Sequence, residues 1–212
     1  MDLAPNFVAF IDAIIWPTTL LFILFKFRNS INELINRVVN DSHEIEIMGL
    51  SARFSETKEK LSSLDLSSTD KETMNNAFED FALSQLKEIS KLFFTAKYPE
   101  RQVAAAEVAK IGLELRAEQL IDLAESGTRG ERTAAAIALK EHMLKDPAII
   151  EDDRFRTAVD KGLKNELSRV RFRFIELVLA SDLLLREYSR SLKLMKTEDP
   201  NEAVRELIRG AI

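Results

Sequence analysis

Three rhythms of apolar and polar residues follow one another along this chain. Phe7 to Phe27 is an almost unbroken apolar run, His43 to Ser55 alternates with period two, and from Met74 onward apolar residues recur every three or four positions. Each rhythm predicts a different element: a membrane-spanning helix, a short β-hairpin or strand, and a mainly α-helical domain. From Val8 to Phe25 the only formal charge is Asp12. A helix of that length covers roughly 27 Å, close to a hydrocarbon core of about 30 Å.

The flanks of the apolar run say how it is used. A cleavable signal peptide needs basic residues before the run and small residues after it. Here Asp2 precedes the run, and Lys26, Phe27 and Arg28 follow it, so a retained anchor is expected. Lys and Arg stay on the cytoplasmic side. With Lys26, Arg28 and Arg37 all after the run, the N-terminus is expected outside and the rest of the chain in the cytoplasm. Within the span, Pro17 leaves the Ala13 carbonyl without its helical partner, and Thr18 or Thr19 can take its place. Asp12 either reaches back to the interface near Trp16 or faces other copies of the span together with the threonines. Ionisable groups at depth avoid lipid. Asp12, Trp16, Pro17, Thr18 and Thr19 are therefore the candidates for assembly within the membrane.

The expected order is a transmembrane anchor over residues 1–28, a juxtamembrane helix over 29–42, the hairpin or strand over 43–55, a polar, serine-rich linker over 56–69 and a helical repeat domain over 70–212. In the period-two segment, a turn at Met48-Gly49 sets Ile47 opposite Leu50 and Ile45 opposite Ala52, with Glu44 facing Arg53 on the other side. Such pairing suits a hairpin; a single strand bulged at Gly49 is the alternative. Thr69 and Glu72 have the spacing of a capping box. The helix they start carries Met74, Phe78, Phe81, Ala82, Leu86, Ile89 and Phe93 on one face.

Beyond residue 99 the rhythm itself repeats. Segments opening at Glu100-Arg101, Glu131-Arg132, Ser168-Arg169 and Asn201-Glu202 begin similarly, about 31 to 37 residues apart. Second helices are expected between them, in RAEQLIDLAES, DRFRTAVDKGLKNE and LLLREYSRSLKLMK. Paired helices at this period predict an α-solenoid-like stack.

The alanine-rich first helices (Val103 to Ala109, Ala134 to Leu139) with leucine-bearing second helices give residues 99–212 a pattern that resembles HEAT-type repeats. Ser168 to Phe174 departs from it, placing Arg171, Phe172 and Arg173 where the earlier units have alanine. The resemblance implies a scaffold that binds partners along its surface, and it implies no catalytic residues. More loosely, residues 10–54, with Trp16-Pro17 in the span and Phe27-Arg28 at its exit, are similar in layout to small bacterial single-pass proteins. Some of those act as membrane effectors in anti-phage defence.

Composition changes this picture little. Scarce glycine and proline, at six and five residues, fit a helical protein, and a net charge of −5 argues against a general nucleic-acid binder. With two histidines and no cysteine, no zinc site is expected, and no glycine-rich phosphate loop is present. No enzyme, cofactor or metal is expected. One charge feature stands out. Arg154, Arg156, Lys161, Lys164, Arg169, Arg171 and Arg173 are opposed within their segment only by Asp160 and Glu166. This run is the candidate face for a cytoplasmic protein partner or an anionic ligand, and the preponderance of arginine leans toward bidentate recognition. Membrane lipids are the other expected contact. The two functional expectations are a membrane-anchored interaction module and, as the alternative, a homo-oligomeric membrane effector or channel assembled through the span.

Overall fold

The computed structural model describes residues 68–212, together with the isolated helical positions Glu56 and Glu59. The expected span, juxtamembrane helix and hairpin, and the linker apart from those two glutamates and its last two residues, lie outside the described residues. Among the described residues the structure is mainly helical, with no strand, and no helix is long and apolar enough to cross a membrane.

The first helix, α1 (Ser68–Ser90), follows the predicted face: Ala82, Leu86 and Ile89 are buried, with Phe78 and Phe81 packed against them. The sequence predicts one helix through Phe93, but the structure breaks it at Lys91 and resumes with a single turn, α2 (Leu92–Thr95). The Lys91 N–H bonds the Glu88 carbonyl and the Phe94 N–H bonds the Lys91 carbonyl, three-residue reaches that tighten the backbone. The break buries Phe93 and leaves Phe94 half-buried beside it.

Helix α3 (Tyr98–Gly112) starts with Pro99 in its first turn, where a missing N–H costs nothing. The Glu100 carboxylate accepts from the Lys97 N–H. Helix α4 (Ala117–Ser126) buries Leu120, Ile121, Leu123 and Ala124. Helix α5 (Arg129–Lys145) opens with a complete capping box between Thr128 and Glu131. Its Ala134, Ala135, Ala136, Ala138 and Leu139 are all fully buried. A helix buried on nearly every side belongs at the centre of a domain, and α5 packs against α1, α2, α3 and α4. The alanines let those neighbours come close. A Cβ added to Gly112 would sit 2.3 Å from the Ala138 Cβ, so α3 and α5 touch almost backbone to backbone. His142 sits at the same crossing, its Nε2 2.9 Å from the Gly112 carbonyl, which also accepts from the Leu115 N–H.

After a 3-10 turn (Pro147–Glu151), helix α6 (Asp153–Leu163) buries Phe155, Ala158, Val159, Gly162 and Leu163. Those positions advance by three, one, three and one, the stripe of an amphipathic helix. Helix α7 (Ser168–Leu179) follows. The predicted second helix of the third unit is interrupted: α8 (Asp182–Glu187) and α9 (Ser189–Glu198) are separated at Tyr188. Tyr188 is itself buried, with its hydroxyl donating to the Arg156 carbonyl. Last comes α10 (Glu202–Ala211), capped by Asn201.

These helices stack in sequence order. α3 packs on α5, α5 on α7 and α7 on α10, forming one row of first helices. Each second helix packs on the next first helix: α4 on α5, α6 on α7 and α9 on α10. The outward face of α10 carries Arg209 paired with both Glu202 and Glu206, while Val204 and Ile208 turn inward.

Candidate functional site: an arginine and aromatic cleft

The row of first helices brings their opening turns to one edge. There a cavity of about 260 Å³ is lined by Tyr98, Arg101 and Gln102 from α3, Thr133 from α5, and Ser168, Arg169, Phe172 and Arg173 from α7. Asn201 and Ala203 of the α10 start close one end, and Phe93 of α2 forms part of the wall. Helix N-termini carry partial positive charge, and arginines add full charges to it.

Aromatic rings order these arginines. The guanidinium carbons of Arg129 and Arg169 lie 4.7 Å and 5.1 Å from the centre of the Phe94 ring. Arg101 lies 6.0 Å from the Tyr98 ring and Arg173 5.9 Å from Phe172. Cation–π contacts of this kind are worth roughly 0.5–1 kcal/mol at exposed sites. Arg169 also donates to the Phe93 carbonyl, which explains why the break at Lys91 matters to the site. Burial, and then the charges of Arg101 and Arg129, hold the Arg169 guanidinium below its ordinary pKa. Like charges are being held together here.

Acidic compensation is sparse. Arg173 pairs with Glu176 at 2.6 Å, whereas among the described residues Arg101, Arg129 and Arg169 make no ion pair. The Arg101 Nε is buried without a hydrogen-bond acceptor. Buried donors normally find an acceptor, so this group marks the cleft as unfinished.

The seven basic residues singled out by the sequence do not converge. Arg154 and Lys161 of α6 turn toward α4, paired with Asp122 and Glu125. Arg156 donates to the Ile150 carbonyl, and Lys164 is exposed at the C-terminal end of α6. Arg171 is buried: it makes a two-pronged pair with Asp199 and donates to the Asn165 and Glu166 carbonyls. Its role is to hold the α7 start to the loop before α10. Only Arg169 and Arg173 reach the cleft. Asp12, Trp16, Pro17, Thr18 and Thr19 lie outside the described residues.

Sequence reasoning missed Arg101 and Arg129 as site residues. The signal for Arg101 was present, since it shares with Arg169 the second position of the repeat opening. Arg132 occupies that register in the intervening unit, but its Nε donates to the Gly127 carbonyl, and Arg129 supplies the charge instead. Among the described residues no cluster of His, Cys, Asp or Glu could hold a metal ion. Comparison with protein-family models, curated proteins and solved structures finds no match to this chain.

Proposed function

We propose that this chain is a membrane-tethered interaction module. Its apolar N-terminal span anchors it, and a HEAT-type α-solenoid on the cytoplasmic side presents a partner-binding edge at the starts of α3, α5 and α7. The observation that carries this reading is the cleft lined by Arg101 and Arg169, with Arg129 beside it on the same Phe94 ring as Arg169, three arginines without carboxylate partners among the described residues. A surface that keeps like charges together at the cost of their repulsion suits an anionic partner. Nothing in the cleft combines a nucleophile with a base, so recruitment rather than catalysis is the proposed role.

Fractionation of cells expressing the full-length chain tests the tether. The protein is expected to stay in the membrane pellet after an alkaline carbonate wash. In inside-out vesicles, added protease should digest the helical domain. Recovery in the soluble fraction, or protection of the domain in such vesicles, would overturn the tether or its orientation.

A further inference from the structure

We propose that the cleft binds the phosphomonoester group of a small molecule, an inference that rests on the anion-binding reading above and names its chemistry. Four features support this reading, and the first of them sets phosphate above carboxylate. The first is charge: Arg101, Arg129 and Arg169 are uncompensated among the described residues, and a phosphomonoester brings about −1.5 to −2 at neutral pH where a carboxylate brings one. The second is donor geometry. Guanidinium forks match phosphate oxygens in pairs, and the buried Arg101 Nε lacks an acceptor.

Size is the third feature. A cavity of about 260 Å³ lies below the roughly 300 Å³ at which sites for drug-sized ligands begin, so it suits a compact anionic head with the remainder projecting outward. Tyr98, 68% exposed, stands at the rim where that remainder would emerge. The fourth feature is the pre-set arrangement of the arginines. Phe94 holds Arg129 and Arg169, and the Phe93 carbonyl fixes Arg169 further. Little side-chain ordering is left to be done on binding.

The test is calorimetric titration of the full-length chain in a non-ionic maltoside detergent. The probes are adenosine monophosphate, adenosine, inorganic phosphate and a soluble inositol monophosphate, the last standing for a lipid headgroup. Saturable binding of a phosphorylated probe and none of adenosine is expected. Arg101→Gln and Arg169→Gln should each weaken it by at least about tenfold, while Arg154→Gln on α6 leaves it unchanged. The tighter of the nucleotide and the inositol phosphate identifies the source of the phosphate. Adenosine binding as tightly as its monophosphate overturns the proposal, as does phosphate binding indifferent to both arginine variants when thermal unfolding shows them folded. A protein that ignores every phosphorylated probe but still binds an acidic peptide through these arginines overturns this inference and leaves the interaction-module reading standing. Failure of both ligand types removes both.

Discussion

Replacing Asp199 with alanine is expected to destabilise the helical domain by about 3–5 kcal/mol, the usual cost of stranding one member of a buried ion pair. Asp199 is 6% exposed and Arg171 7%, and their two hydrogen bonds are both 2.7 Å long. Asp199 also accepts from the Asn201 N–H, so its loss unpins the start of α10 as well. The measurement is the urea midpoint of the full-length chain in detergent, followed by helical circular dichroism. A shift under 1 kcal/mol would mean that solvent reaches Arg171 when the partner is gone. The double change Arg171→Met, Asp199→Leu should recover much of the loss, because an apolar pair leaves no buried charge.

The same pair sets an acid limit. Burial raises the Asp199 pKa, but the Arg171 hydrogen bonds, the Asn201 N–H and the charges of Arg171 and Arg205 outweigh it, leaving the carboxyl below its ordinary value. A depressed folded-state pKa contributes stability that is fully present above the unfolded value, about 3.9. It is lost as pH falls below that value and through the lower folded pKa. Stability should therefore drop steeply below about pH 4, and Asp199→Asn should flatten that part of the curve.

Gly162→Val is expected to destabilise by roughly 1–3 kcal/mol or more. A Cβ at Gly162 would fall 2.2 Å from the Phe174 ring, and that ring is fully buried in the α6–α7 contact. The ring has nowhere to retreat, so α6 must move off α7. Alanine for glycine within an open helix gains about 1 kcal/mol, which makes Gly210 a useful contrast, since nothing lies within 4 Å of a Cβ there. Gly210→Ala should be neutral or stabilising by up to about 1 kcal/mol. If Gly162→Val proved as neutral as Gly210→Ala in urea unfolding, the close α6–α7 packing would be refuted.

Much of the helical domain was legible in the sequence because its elements are amphipathic at helical spacing. On the face predicted from Met74 to Phe93, Ala82, Leu86, Ile89 and Phe93 are buried with Phe78 and Phe81 packed partly buried against them, and the alanine run of α5 is buried as well. The repeat openings at Glu100, Glu131, Ser168 and Asn201 fall at or within three residues of the starts of α3, α5, α7 and α10. What escaped was whatever depends on tertiary neighbours. The break at Lys91 has no glycine or proline to announce it. Arg171 looked like surface charge, because its partner lies 28 residues away in a loop. The basic run 154–173 looked like one face because proximity in sequence was taken for proximity in space. The cleft instead draws Arg101 and Arg169 from different units, with Arg129 of the unit between them alongside, and only the stacking of α3, α5 and α7 brings them together. The span and the period-two segment lie outside the described residues, so the difference between passive tether and assembling effector still rests on Asp12, Pro17, Thr18 and Thr19.

The most direct test of the interaction edge is fluorescence anisotropy of a labelled polyglutamate peptide titrated with the full-length chain in maltoside detergent, at low and at physiological salt. The account predicts saturable binding that weakens with salt. Binding should be lost in the triple variant Arg101→Glu, Arg129→Glu, Arg169→Glu and kept in Arg154→Glu, Lys161→Glu, whose charges serve α4. A triple variant that is folded by circular dichroism and binds the peptide as tightly as the unaltered chain would contradict it.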